Sequence, residues 1–263
     1  MPAQAENKTT TVSHIRLAIV VAMQEEQEQI LVQLQQAQTV TRAGMCFHQG
    51  TYLGQDVVVV VCGVGKVNAA ACAQLLISEF HISHMINIGV AGAIQGHLQM
   101  GDIVIGGQLI QHDVDLQALG LAPGHMFRMP SLAYDADPQL LQLAQQAAHG
   151  ITAQRSYTGI IVTGDQFIAC NDKIQRLAHT FQALACEMES ASLAQVCSLN
   201  QIPFIAIRSI SDQANHAAQL DFQQFLTIAA RNASALLHAM VPFIQPEAAT
   251  TTTRTDTNHS PGL

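Results

Sequence analysis

Five carboxylates stand where short apolar runs give out: Glu25 and Glu26 in "AIVVAMQEEQEQI", Glu187 and Glu189 in "LACEMESASLAQV", and Asp212 at the end of "RSISD". The second stretch, Leu184 to Val196, is small and apolar almost throughout, yet it carries acids on both sides of Met188. Buried carboxylates are costly unless something pairs with them. Separated acids with no metal motif beside them suit cleavage of a glycosidic bond through an oxocarbenium-like transition state. One acid protonates the leaving group, another activates water, and a third anion accepts hydrogen bonds from sugar hydroxyls. Each acid also has a purely structural reading. Glu25 and Glu26 could complement a helix dipole, and Asp212 could be an N-cap.

The elements that must position these acids are legible as alternating apolar runs and helical segments. Residues 15–23, 57–65, 85–93, 102–110, 159–165 and 203–212 read as short strands buried on both faces. Helices are expected over 65–80, 137–148, 171–180, 188–200 and 220–241, the second opening on Asp-Pro and the third on Asn-Asp. This alternation predicts a single-domain, three-layer α/β fold around a central mixed, twisted sheet. "MCFHQGTYLGQDVVVVV" breaks the alternation, and its two strand-like runs should pair as an antiparallel hairpin at "LGQD". In an α/β sheet the ligand sits beyond the carboxyl ends of the strands, which is where the acids fall.

Composition narrows the class. The chain has 263 residues, 49% hydrophobic and 11% charged, enough for one sizeable core. The folded domain is expected over 15–245, with disordered tails at 1–14 and at the Thr-rich 246–263. The formal charge is −8 with eleven Lys plus Arg spread singly, so no basic stripe offers itself to nucleic acid. Six cysteines in apolar contexts without a CxxC pair read as buried free thiols. The N-terminus has no secretory pattern, and no apolar run is long enough to span a bilayer. A cytoplasmic protein without a membrane partner is expected.

Other motifs are weaker. "GVGKVNAA" lacks P-loop spacing, since Lys66 is followed by Val67, and "NIGVAGA" lacks the three-glycine dinucleotide fingerprint. His81 and His84 of "HISH", and His112, Asp113 and Asp115 of "HDVD", are not accompanied by further ligands at metal-site spacing. Neither a metal nor a cofactor is expected.

Taken together, "AMQEE", "GVGKVNAA", "NIGVAGA", "GDIVI", "HDVD", "VTGDQFI", "EMES" and "RSISD" occur in the order and approximate spacing of a known family. Over roughly residues 15–243 the chain resembles the bacterial 5′-methylthioadenosine/S-adenosylhomocysteine nucleosidases of the nucleoside phosphorylase superfamily. The resemblance implies a cofactor-free homodimer that hydrolyses a small-molecule nucleoside and releases adenine. It implies that Glu26 activates water, Asp212 protonates adenine N7, and Glu189 accepts from the ribose hydroxyls with Met188 against the sugar. Phe167 would stack on adenine and Ile168 would meet it through its backbone. Val64 and Phe222 would contact the 5′-substituent, while Arg208 and Ser211 would position the acids. Glu187, also counted among the binding residues, is left without a defined role, either orienting neighbouring backbone or supporting the pocket. His112 and Leu116 of "HDVDL" would reach into the site of the other subunit. Val90 stands where the family commonly has Ser; the lost hydroxyl alters the water position and counts against phosphorolysis. The loop at 120–130 also departs from the family, in the region shaping the 5′-pocket. Alternatives are a purine nucleoside phosphorylase, a futalosine or adenosylhopane-type relative, or a non-catalytic adenosine-binding homologue.

Overall fold

Strand β1 (Arg16–Val21) alternates its side chains between two separate cores, and that alternation defines the layers. Ala18 and Val20 join Val58, Val60 and Met85 under the helices α2 (Lys66–Ser78) and α5 (Ser190–Asn200). Leu17, Ile19 and Val21 join Val57, Val59, Ile86 and Ile88 under α1 (Gln24–Leu31), α3 (Pro138–Gly150) and α6 (Ala218–Met240). Runs that are apolar at every position are therefore strands covered on both faces. The computed structural model describes residues 16–151, 154–215 and 218–245. The tails expected at 1–14 and 246–263 lie outside the described residues.

The remaining strands are β2 (Gln35–Arg42), β3 (Met45–Tyr52), β4 (Gln55–Val61), β5 (His84–Ala93), β6 (Ile103–Gln111), β7 (Tyr134–Asp135), β8 (Ser156–Thr163), β9 (Ala185–Glu187) and β10 (Phe204–Asp212), with helix α4 (Asn171–Phe181) between β8 and β9. All belong to one mixed sheet, in the order β10-β6-β8-β9-β5-β1-β4-β3-β2, with β7 paired to β6 off this path. β10 also pairs with β5, so the path β5-β10-β6-β8-β9 returns to β5 and closes a ring of strands at one end of the sheet. β1, β4, β5 and β10 run parallel, whereas β9 runs against β5.

The expected hairpin is β3–β4, turning at Leu53 and Gly54 with φ of 52° and 83°. Two consecutive positive φ values match the twist of tight hairpin turns, and glycine takes the second without a Cβ penalty. Asp-Pro opens α3 as expected: Asp137 accepts from the N–H groups of Gln139 (3.0 Å) and Leu140 (2.9 Å), with Pro138 in the first turn. The sequence reading missed β2, whose "QQAQTVTR" leaves nearly every side chain in water. It is held at the sheet edge by its ladder to β3 rather than by burial. The two-residue β7 and three-residue β9 were likewise too short to show a period. One cysteine expectation needs correction: Cys46 is exposed and Cys170 half-buried, while Cys62, Cys72, Cys186 and Cys197 are buried free thiols.

Candidate functional site

Three helix starts point at one cavity, and each receives a carboxylate. A helix N-terminus presents unpaired N–H groups and partial positive charge, so an acid placed there is stabilised as an anion. Glu26, in the first turn of α1, folds back so that Oε2 accepts from the N–H groups of Ala22 (2.9 Å) and Met23 (3.0 Å). Its Oε1 accepts from the Val90 N–H on β5 at 3.0 Å. The neighbouring Glu25 is exposed on the surface. The dipole reading and the chemical reading thus separate between adjacent residues.

Glu189 meets the start of α2: its Oε1 accepts from the Gly65 N–H at 2.8 Å. Glu187 meets the start of α5, where its Oε2 accepts from the N–H groups of Glu189 (3.0 Å) and Ser190 (2.8 Å). The Ser190 hydroxyl and Arg208 Nη2 donate to the same oxygen, at 2.9 and 2.6 Å, and the Thr163 hydroxyl donates to Oε1. Both oxygens of Glu187 are thereby occupied within the chain. Those of Glu189 are less so, with Arg208 Nη2 at 3.9 Å from its Oε2.

Arg208, on β10, is almost wholly buried. Its Nη2 also donates to Asn87 Oδ1 (2.5 Å), but among the described residues Nη1 and Nε have no hydrogen-bond partner. Nη1 faces the same point as Glu26. A Cβ built on Gly89 would stand 2.6 Å from Glu26 Oε1 and 2.9 Å from Arg208 Nη1, so only glycine fits between them.

Asp212 ends β10 and lines the same cavity. The Ala214 N–H donates to its Oδ1 (2.8 Å), so an N-cap-like contact is indeed made, and the Ser211 hydroxyl donates to Oδ2 (2.9 Å). Both partners come from Asp212's own segment, and among the described residues no cation forms an ion pair with it.

Burial acts on these acids with different results. It raises Glu26 above the usual carboxylate range, against the pull of Arg208 and of the three N–H donors. It raises Asp212 in the same way, with Asp221 adding to the rise. Glu189 is pushed up to about 8 by burial and by the charge of Glu187. Burial would also raise Glu187, but Arg208 and the hydrogen bonds around it outweigh that and bring it below the usual range. Burial thus shifts Glu26, Asp212 and Glu189 upward, while Arg208 and the surrounding hydrogen bonds shift Glu187 downward.

The cavity between them measures about 380 Å³. Of the residues singled out in the sequence, Glu26, Val64, Val90, Phe167, Ile168, Glu187, Met188, Glu189, Ser211, Asp212 and Phe222 line it. Arg208 lies behind the acids. Phe167, 51% exposed, meets Phe222 edge-on with ring centroids 5.9 Å apart, forming an apolar rim. Val90 lines the site and gives its N–H to Glu26; it belongs to an apolar cluster with Ala229 and Ala230, against which Met23, Phe222 and Leu226 pack. His112 and Leu116 do not line the cavity of this chain, and neither does any residue of the 120–130 loop. Among the described residues, no cluster of His, Cys, Asp and Glu is arranged to hold a metal ion.

The sequence reading passed over Met23, Ala91, Gly92, Gln166 and Cys186 in the lining. It also passed over Asn87, Thr163 and Ser190, which hold Glu187 and Arg208. Asn87 carried a usable signal, as the single amide inside the apolar run "MINIGVAGA".

A family profile described as "Phosphorylase superfamily" matches residues 16–242. A 5′-methylthioadenosine/S-adenosylhomocysteine nucleosidase of Psychromonas ingrahamii is 41% identical over 228 residues, covering 86% of this chain and 98% of that one. The crystal structure of a nucleosidase of the same description from Colwellia psychrerythraea, in complex with adenine, superposes with a TM-score of 0.86 at 33% identity, covering 90% of this chain and 98% of that one. A Neisseria meningitidis counterpart in complex with methylthio-immucillin-A gives a TM-score of 0.85 at 32% identity, covering 87% and 99%.

Proposed function

The chain belongs to the phosphorylase superfamily and, within it, to the 5′-methylthioadenosine/S-adenosylhomocysteine nucleosidases, and from that membership we propose how its residues carry out the reaction. The protein is an N-glycosidase that hydrolyses the bond between adenine and ribose in 5′-methylthioadenosine and S-adenosylhomocysteine. Water adds to C1′, the bond from C1′ to N9 breaks, and adenine leaves with a proton.

Asp212 supplies that proton at N7. A carboxyl raised by burial keeps its proton nearer neutral pH, which a general acid requires. Glu26 takes the proton from the attacking water. Its three N–H donors fix its oxygens, and Arg208 Nη1, with no partner of its own, faces the same space and can hold the water against it. Glu189 accepts from the ribose hydroxyls. Their hydrogen bonds favour its ionised form, so the anion develops where the sugar becomes cationic. Glu187 is a positioning residue, its carboxylate consumed in holding Arg208 and the start of α5. Met188 lies against the sugar. Phe167 and Ile168 frame adenine, and Val64 and Phe222 receive the apolar 5′-thio substituent.

The observation that carries this reading is the convergence of Glu26, Glu189 and Asp212 on one cavity with largely apolar walls. Phosphorolysis is disfavoured by the same geometry. A bound phosphate needs convergent donors, whereas Val90 packs apolar groups against α6 and the Val90 N–H is already given to Glu26. We further propose a cytoplasmic homodimer of single-domain subunits spanning 15–245, in which His112 and Leu116 approach the other subunit's site. Among the described residues no helix is long and apolar enough to cross a membrane.

The test is adenine release from methylthioadenosine and S-adenosylhomocysteine, assayed with and without phosphate. Release of adenine and free thio-substituted ribose without phosphate is expected. An absolute phosphate requirement would overturn the hydrolytic reading.

A further inference from the structure

Lys66 of "GVGK" and Asp113 of "HDVD" remain without a task in this mechanism, and the fold brings them together. Lys66 Nζ donates to Asp113 Oδ1 at 2.6 Å and to Gln111 Oε1 at 3.2 Å. Asp113 Oδ2 accepts from the Asp165 N–H at 3.0 Å. Asp165 Oδ1 in turn accepts from the Lys66 N–H at 2.8 Å. These contacts form a closed circuit through three loops, those following β4, β6 and β8. The ion pair at its centre is mostly shielded, with side chains 19% and 16% exposed. Gln111 extends the circuit to α5 through Gln195, at 2.6 Å.

Two of the three segments tied by the circuit carry site residues. Gly65, one residue before Lys66, gives its N–H to Glu189. Gln166, Phe167 and Ile168, directly after Asp165, line the cavity. The first two N–H groups at the start of α2 thus go to two different carboxylates, one on the ribose side and one at the root of the adenine loop. We infer that Lys66, Asp113 and Asp165 are positioning residues for this reaction, a clasp that fixes the adenine loop and the ribose-binding Glu189 relative to one another. The inference rests on the roles proposed for Glu189, Phe167 and Ile168.

A clasp of this kind acts on binding in the ground and transition states alike, so its loss raises KM more than it lowers kcat. Lys66→Met and Asp113→Asn are each expected to raise KM for methylthioadenosine by about 10-fold or more, with kcat held within about threefold. The double variant should be no worse than the weaker single variant, because both break one circuit. Lys66→Arg, which keeps the pair, should restore KM. Amide exchange over 164–168 should quicken by about 10-fold in Asp113→Asn, since the Asp165 N–H loses its charged acceptor. Arg42→Ala, which breaks the exposed Arg42–Glu79 pair, is the control expected to move neither quantity. Should Lys66→Met fail to fold, Lys66→Gln carries the same comparison. The clasp is overturned if the variants unfold more readily but leave KM and exchange over 164–168 within about twofold of wild type. Loss of kcat at unchanged KM overturns it as well. If the wild-type protein releases no adenine, the assigned reaction fails, while the exchange measurement still decides the clasp.

Discussion

Arg208 Nη2 lies 2.6 Å from Glu187 Oε2, and both side chains are almost wholly removed from water. This pair sets the character of the other acids. It commits Glu187 to negative charge, and that charge helps to push Glu189 up to about 8.

Breaking the pair strands a buried charge. Arg208→Met should destabilise the fold by about 3–5 kcal/mol, because Glu187 loses its compensating cation and retains only neutral donors. Urea unfolding followed by circular dichroism checks this. A midpoint indistinguishable from wild type would mean that Glu187 is satisfied without Arg208.

Asp212→Asn removes the proton donor and leaves the cavity its shape. Adenine release should fall by about 10²- to 10⁴-fold in kcat, with the affinity for a non-hydrolysable adenosine analogue little changed. Near-wild-type turnover in this variant would remove Asp212 from the role of acid.

Glu189 makes stability depend on pH in a definite direction. Its ordinary value is 4.5 and its value in the fold is about 8, so folding favours the protonated form. Its contribution is complete below pH 4.5 and is lost as pH rises through about 8. Glu189→Gln cannot ionise, and should therefore gain on wild type across that interval, by on the order of a few kcal/mol at its upper end. Thermal unfolding of both proteins from pH 5 to 9 measures the difference. A constant offset would show that Glu189 ionises as freely in the fold as out of it.

Gly89→Ala places a methyl between Glu26 and Arg208. With 2.6 and 2.9 Å to their polar atoms, neither of which ends a freely swinging chain, the side chains must separate. Adenine release should fall by at least about 10²-fold, a loss in the range expected when a catalytic group is displaced by about 1 Å. The assay is the same as for Asp212→Asn, and full activity would show that Glu26 and Arg208 need not face the same point.

The layers were legible because β1, most of β4 and β5, and the opening "FIAI" of β10 are continuous apolar runs, a pattern that fits strands covered on both faces. β2 was not, since its polar side chains lie in water and its backbone ladder leaves no mark on residue type. Glu26, Glu189 and Asp212 could be found as acids at the ends of apolar runs. Nothing local separated Glu187 from Glu189, whose difference depends on Arg208, about twenty residues further along the chain. The clasp was invisible for the same reason: Lys66, Asp113 and Asp165 follow three different strands, and nothing in their local sequence pairs them.

The ring of strands closes through its last member. β10 pairs with β5 and β6, more than ninety residues earlier, and it carries both Arg208 and Asp212. Contacts so distant in sequence are entropically expensive and form late. During synthesis, a chain that has emerged only as far as α5 already possesses Glu26, Glu187 and Glu189, but lacks the cation that organises them and the acid that protonates adenine. Turnover therefore requires synthesis through β10, and fragments ending before it should be silent whatever secondary structure they acquire.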